Sequence, residues 1–211
     1  MMISTSILSI KDNIKDNVLK LNNTNITYIH LDIMDGLFVS NKTWEYNEIK
    51  DIIDGSNKPL DVHLMVSDVI KYIDEYSNLN PEFITFHLEA VDNVKEVIDY
   101  IHSKNIKVGL SIKPNTNINL LIPYLNDIDM ILLMSVEPGM GGQSFIDSSY
   151  ERLNKLNELK KEYKFLIEID GGINENNITN LDGVDIAVVG SYITSSENYQ
   201  EQIDKLLNKV N

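Results

Sequence analysis

The segment ITYIHLDIMDG, residues 26–36, is an apolar run that ends in polar side chains and a glycine. Its length, its isoleucines and its Asp-Gly ending read as a buried strand over residues 26–34 that feeds a turn. Beyond the turn, Ile49, Ile52 and Ile53 recur at helical spacing. The same unit repeats on both sides of it. Further strands are expected at residues 3–10, 60–66, 83–89, 107–113, 130–136, 165–170 and 184–190. Helical stripes lie between them: Ile14, Val18 and Leu21; Val69, Ile70, Ile73 and Tyr76, with Ser67 as the expected cap; Val94, Val97, Ile98 and Ile101. Leu153, Leu156, Leu159 and Tyr163 form another, and Ile203, Leu206, Leu207 and Val210 close the chain. The patterns around 117–125 and 174–181 are weak and predict short segments.

Eight strands alternating with eight helical segments imply parallel pairing with crossovers. An open doubly wound sheet and a closed barrel both satisfy that rule. The count of eight, with no linker and no shift in composition, favours the barrel. The expected fold is therefore α/β, one compact (β/α)8 TIM barrel over residues 1–211, shorter than the roughly 250 residues typical of that architecture.

Composition narrows the function. The 211 residues carry 32 acidic and 18 basic side chains, a formal charge of −14, which repels phosphate backbones and excludes nucleic acid as an expected partner. The absence of cysteine excludes disulfides, thiolate metal sites and a cysteine nucleophile. No apolar run reaches the length of a membrane span, and the opening MMISTSILSIKDN has no basic and apolar leader. A cytoplasmic protein with no membrane partner is the expectation.

In such a barrel the chemistry lies where strands end. His30, Asp32 and Met34 are spaced by two and project to one side of their strand. His63 and Met65 repeat the arrangement on the third strand, and Asp170 closes the seventh. One such histidine or aspartate alone reads as a turn former or a satisfied core group. Two imidazoles and two carboxylates on three neighbouring strand ends read differently, because burying them together without a cation is costly. The set suits one divalent ion of the Zn²⁺, Fe²⁺, Mn²⁺ or Co²⁺ type rather than Mg²⁺ or Ca²⁺. His87, on one side of its strand with Glu89, reads as a hydrogen-bonding supporter; His102 reads as a surface residue and Trp44 as packing near the second helix.

Glycines form a second cluster: Gly139, Gly141 and Gly142 after the sixth strand, Gly171 and Gly172 after the seventh, Gly190 before Ser191 after the eighth. Any one pair would merely turn a tight loop. Three such loops on adjacent strands let backbone N–H groups approach an anion, and barrels often hold phosphate there. These loops contain no Lys or Arg, so binding would rest on backbone amides and Ser191.

These residues carry a family resemblance. SILS at 6–9, HLDIMDG at 30–36, DVHLM at 61–65, PGMGGQSF at 138–145, EIDGGI at 168–173 and VGS at 189–191 resemble the ribulose-phosphate 3-epimerase family in order and spacing. The resemblance implies a metal held by His30, Asp32, His63 and Asp170, and interconversion of D-ribulose 5-phosphate and D-xylulose 5-phosphate in the pentose phosphate pathway. It implies that Ser6 and His63 meet the substrate and that Met34, Met65 and Met134 line the reacting carbon. The phosphate would lie against Gly139, Met140, Gly141, Gly142, Gly171, Gly172, Gly190 and Ser191. Family members often form homo-oligomers, which is the expectation here.

The chemistry agrees with the residues. Epimerising C3 of a 2-ketose removes a proton α to the carbonyl and returns one to the other face. Asp32 and Asp170, from different strands, supply one acid and one base whose roles swap with direction. Thioethers make a polarisable wall that gives no proton to the enediolate. The sequence departs from the family at Thr5, Leu37, Ser40 and residues 41–48, and lacks the second proline usual in KPNTNI. A hexulose-phosphate 3-epimerase, for example one acting on D-allulose 6-phosphate, shares the barrel, ligands and loops and is the alternative. A barrel that only binds a metal or sugar phosphate is the non-enzymatic one. Arg152 is the single arginine beside 17 lysines, which reads as coding bias.

Overall fold

The computed structural model describes residues 1–210. Its strands are β1 (Met2–Ser6), β2 (Tyr28–Met34), β3 (Leu60–Met65), β4 (Phe83–His87), β5 (Lys107–Ile112), β6 (Met130–Met134), β7 (Leu166–Asp170) and β8 (Ile186–Val189). All pair in parallel in chain order, and β8 pairs back with β1, so the sheet closes into a barrel. The helices are α1 (Ile14–Lys20), α2 (Tyr46–Ile53), α3 (Val69–Tyr76), α4 (Val94–Ser103), α5 (Ser148–Leu159), α6 (Ser191–Thr194) and α7 (Tyr199–Val210). The expected TIM barrel is the observed one.

Two crossovers lack an α-helix, where the sequence patterns are weak. After β5 the chain makes a 3₁₀ helix, Ile118–Tyr124, with Pro123 inside it; after β7 it makes a single turn, Ile178–Asn180. Proline has no N–H to give an α-helical bond and crowds the preceding turn. The expected first strand overruns: β1 stops at Ser6, because Ser6 Oγ accepts from the Leu8 amide and Ile10 N bonds to Ile7 O, turning the chain. The eighth starts at Ile186 rather than 184, since Val184 N is engaged with Leu181 O in a turn. The cap of α3 is Asp68, whose side chain accepts from Lys71 N, and not Ser67. Ser67 is instead fixed through its own amide to Asp35 Oδ2 at 2.6 Å.

Strand alternation sorts the core. On β2, Ile29, Leu31 and Ile33 face outward into the large apolar layer under the helices, while Tyr28 and Met34 belong to separate interior groups. The interior is filled from below by Tyr28, Phe83, Met130 and Ile186, with Tyr28 and Phe83 edge-to-face at 5.8 Å. That plug excludes water from the layers above it.

Higher in the barrel the fit is close. Gly109 of β5 lies beside Thr85 of β4, and a Cβ on Gly109 would fall 2.0 Å from Thr85 Oγ1. A Gly109→Ala variant is expected to lose about 1–3 kcal/mol by overpacking, read as a lowered thermal midpoint. Thr85→Ala should restore part of that loss in the double variant, and additive losses would show that the two sites do not compete for one space.

Candidate active site

Barrel register assembles the site. Asp32 lies opposite His63 and Met34 opposite Met65 across β2 and β3; Met134 lies opposite Asp170 across β6 and β7; Ser6 lies opposite His30 across β1 and β2. Neighbours in register on parallel strands point to the same face, here the interior. One ligand atom from each of His30, Asp32, His63 and Asp170 lies within 4.8 Å of the others.

The finer geometry tests whether an ion fits. Asp32 Oδ1 is 3.5 Å from His30 Nε2 and 3.4 Å from His63 Nδ1. Both rings are fully buried, and neither of those nitrogens has a hydrogen-bond partner among the described residues. Buried polar atoms left without partners are costly, so these two call for something between them. Ligands bound tetrahedrally at about 2.1 Å stand about 3.4 Å apart, the separation found here. The residues present fit a divalent cation.

Charge states follow from the neighbours. Burial opposes the charge of His30, but Asp61 and Asp32 outweigh it and raise the imidazole well above its ordinary pKa. Burial also opposes ionisation of Asp32, but the His30 charge prevails and holds this carboxyl below the usual range. Asp170 is pushed the other way: burial first, then the Asp32 charge, raise it to about 7. Two carboxyls of one cluster thus favour opposite protonation states at neutral pH. Ser6 Oγ donates to Asp32 Oδ2 at 2.7 Å and fixes that carboxylate's orientation.

Beneath this cluster is a buried layer that reasoning from strand ends alone missed. Asp61 Oδ2 is 2.6 Å from His30 Nδ1 and accepts from Ser4 Oγ at 2.9 Å. This contact orients the ring so that Nε2 faces the site. Glu168 is fully buried with neither carboxyl oxygen partnered, and burial together with the Asp61 charge raises its pKa well above the ordinary value. Asp61 stands two residues before His63, and Glu168 two before Asp170. The alternation that picks out the ligands also picks out these two.

Above the cluster opens a cavity. Ser6, Asp32 and Asp170 reach it, with Met34, Met65 and Met134 on its walls. The methionines are buried and fall in two separate apolar groups, Met34 with Met65 and Met134 with Val136. Its rim holds Gly139, Met140, Gly141 and Gly142, then Gly171 and Gly172, then Gly190 and Ser191. His30 and His63 lie under its floor. Sequence reasoning also missed Leu8, Ser9, Gln143 and Val188, which line the cavity without a chemical signature of their own.

Close approach explains two of the glycines. Gly171 has φ +124°, and a Cβ there would meet Val136 Cγ2 at 2.5 Å; Gly172 has φ +66° and would meet the Phe145 amide nitrogen at 2.4 Å. Among the described residues, the amide groups of Gly141, Gly142 and Gly172 bond to no backbone carbonyl. The loop after β2, where the sequence departs from the family, braces this rim. Asn41 Nδ2 donates to Gly139 O at 2.7 Å, and Thr43 Oγ1 accepts from the Met34 amide at 2.9 Å. Leu37 stands 80 % exposed on that loop. Trp44 is half-buried against the core just before α2, and His102 on α4 is surface-exposed beside Asp129.

The site is thus a set of paired histidines and aspartates on barrel strand ends, with glycine loops above them. Residues 2–194 match the family model described as the ribulose-phosphate 3 epimerase family, and the chain belongs to that family of isomerases. It is 38% identical over 189 residues to a ribulose-phosphate 3-epimerase of Helicobacter pylori strain J99, covering 88% of this chain and 87% of that one. It is 35% identical to the ribulose-phosphate 3-epimerase of Escherichia coli K12, covering 86% and 83%. Among solved structures, KGPDC from Streptococcus mutans shares the fold, with a TM-score of 0.74 at 11% identity over 99% of this chain and 96% of that one. Among the described residues no helix is long and apolar enough to cross a membrane.

Ion binding must displace the protons that Asp170 and His30 hold in the free protein. Both groups have raised pKa values, so the free protein binds protons that the loaded one lacks, and affinity rises with pH. Co²⁺ titrations between pH 5.5 and 8 should show tighter binding at each step. Calorimetry in buffers of different ionisation enthalpy should show protons released. A pH-independent affinity with no proton release would contradict these charge states.

Proposed function

We propose that this protein interconverts D-ribulose 5-phosphate and D-xylulose 5-phosphate, with Asp32 and Asp170 as the proton-transfer pair. The observation that carries the reading is their placement: two aspartates on β2 and β7, with β1 and β8 between them, meeting in one cluster under the cavity. Family membership and relatives at 34–38% identity that are ribulose-phosphate 3-epimerases support the same substrate. Those relatives do not favour the hexulose-phosphate alternative, and the rearranged loop at 37–48 has a bracing role that needs no change of substrate.

The chain's residues divide the work. The glycine rim and Ser191 present backbone amides and a hydroxyl to the phosphate, without cationic side chains, so an anionic product is not held by a fixed positive charge. The substrate's C2–C3 region then lies over the cluster, between the Met34–Met65 wall and Met134. Asp32, aligned by Ser6, takes or receives the C3 proton on one face. Asp170 supplies or takes one on the other. Reversal exchanges the roles. His30, Asp32, His63 and Asp170 would hold a divalent cation of the Zn²⁺, Fe²⁺, Mn²⁺ or Co²⁺ type, whose chemistry there is Lewis-acid stabilisation of the negative charge that develops as the proton leaves. The thioethers border that charge with no acidic hydrogen.

The test is proton exchange in D₂O with cation-loaded protein, followed by NMR. Deuterium should enter C3 of ribulose 5-phosphate as the xylulose epimer appears. Asp170→Asn should slow both by roughly 10²–10⁴-fold. Allulose 6-phosphate, run in parallel, should exchange far more slowly. Exchange with the hexulose phosphate alone would overturn the substrate assignment. No exchange with either, in protein carrying stoichiometric metal, would overturn the two-aspartate mechanism.

A further inference from the structure

Three carbonyl oxygens of the loop after β6 are held by side-chain amides. Gln143 Nε2 donates to Glu137 O at 2.7 Å and to Met140 O at 2.8 Å, which uses both of its hydrogens. Asn41 Nδ2 donates to Gly139 O at 2.7 Å. Gln143 closes the loop on itself, whereas Asn41 reaches it from the loop after β2. Asn41 stands on a fixed base. Beside it the Thr43 amide donates to Met34 O at 3.2 Å, the Met34 amide donates to Thr43 Oγ1 at 2.9 Å, and Asp35 pairs with Lys42 in an isolated antiparallel bridge. Val39 of the same loop is buried, and a Cβ on Gly139 would fall 2.9 Å from Val39 Cβ.

These bonds fix the direction of N–H groups as well as of carbonyls. Among the described residues no peptide bond is cis. In a planar trans peptide, the carbonyl of one residue and the N–H of the next point opposite ways. Holding Gly139 O therefore turns the Met140 N–H away from Asn41, and holding Met140 O turns the Gly141 N–H away from the Gln143 amide. Met140, Gly141 and Gly142 all line the cavity, and among the described residues none of their N–H groups bonds to a backbone carbonyl. The clamps answer a weakness in the loop's own composition. Gly139 has φ +112° and Gly142 has φ +73°. Glycine reaches such angles without steric cost, and for the same reason the peptide planes beside it turn over easily. A turned plane would meet an anion with a carbonyl oxygen in place of an N–H, exchanging attraction for repulsion.

We propose that Gln143 and Asn41 are positioning residues for the anion-binding rim. By holding the carbonyls of Met140 and Gly139 they keep the N–H groups of Gly141 and Met140 turned to the substrate's phosphate. Neither side chain touches the phosphate itself. Each excludes the peptide orientation that would repel it. Asn41 adds a second effect, because it ties the direction of the rim to the end of β2, the strand that carries Asp32 and Met34. This inference rests on the reading of the rim as the phosphate site, and its test separates the two.

The first measurement is a titration of the metal-free, ¹⁵N-labelled full chain with inorganic phosphate, followed in ¹H–¹⁵N spectra, which needs no variant to fold. The amides of Met140 and Gly141 should move together with those of Gly172 and Ser191. Movement of Gly172 and Ser191 without Met140 and Gly141 would overturn the positioning role and leave the phosphate rim standing. If no rim amide moves, the phosphate reading is overturned and the proposal falls with it. The second measurement uses Gln143→Met and Asn41→Leu, which remove the donors at similar side-chain length. Each should weaken phosphate binding about 10-fold, as loss of a hydrogen bond to a charged group does, with the amide shifts of the barrel strands unchanged. In turnover the loss should appear in KM for ribulose 5-phosphate more than in kcat. Wild-type phosphate affinity in both variants, a loss accompanied by shifts throughout the strands, or a fall in kcat at unchanged KM would each overturn the positioning role.

Discussion

Six ionisable side chains, His30, Asp32, Asp61, His63, Glu168 and Asp170, meet inside a barrel whose floor is sealed by aromatic and aliphatic residues. Isolated charges in such a place would cost several kcal/mol each, far more than a domain of this size holds in reserve. The fold tolerates them because most are paired or hold a proton. His30 lies between two aspartates, Asp32 receives Ser6, Asp61 receives Ser4, and Asp170 and Glu168 keep protons. Among the groups left without a partner are one nitrogen on each of two histidines, aimed at the same oxygen. A cation between those two nitrogens and that oxygen would answer them.

That constraint explains why the strands and the site were legible in the sequence. Parallel strands buried on both faces show as apolar runs, and the polar residues within them stand out. His30, Asp32 and Asp170 interrupt such runs and so stand out. Asp61 and Glu168 interrupt them too, two residues earlier. A search confined to strand ends passes over them, although alternation places them on the same face. Their role is support from below, which has no motif because a ring nitrogen can be oriented by many acceptors.

Loops were less legible, for a physical reason. The ends of β1 and β8 are set by single hydrogen bonds, from the Leu8 amide to Ser6 Oγ and from Val184 N to Leu181 O, which periodicity does not encode. The segment from Leu37 to Glu48 looks like drift when compared with the family pattern. Folded, it is held by its own polar residues: Asp35 accepts from the amides of Leu37, Phe38 and Ser67, and Asn41 reaches across to Gly139. The loop after β2 is thereby tied to the loop after β3 and to the glycine rim. Its residues depart from the family pattern, and in this chain they brace the rim.

Arg152 carries the same logic to the far side of the barrel. In a chain with 17 lysines its being the only arginine reads as coding bias, yet its position gives it a task that lysine performs poorly. From α5 its buried guanidinium donates to Met134 O, Lys113 O and Thr116 O, at the ends of β6 and β5. A planar fork with several fixed donors can serve three carbonyls at once; a single ammonium is more heavily hydrated and is costlier to bury there. Lys113 and Thr116 also give an amide and a hydroxyl to Glu89. The loop after β5 is therefore gripped on its carbonyls by Arg152 and on its donors by Glu89, and Met134 is fixed by the same arginine. Composition bias replaces arginine where charge alone is needed, and it fails to do so where geometry is.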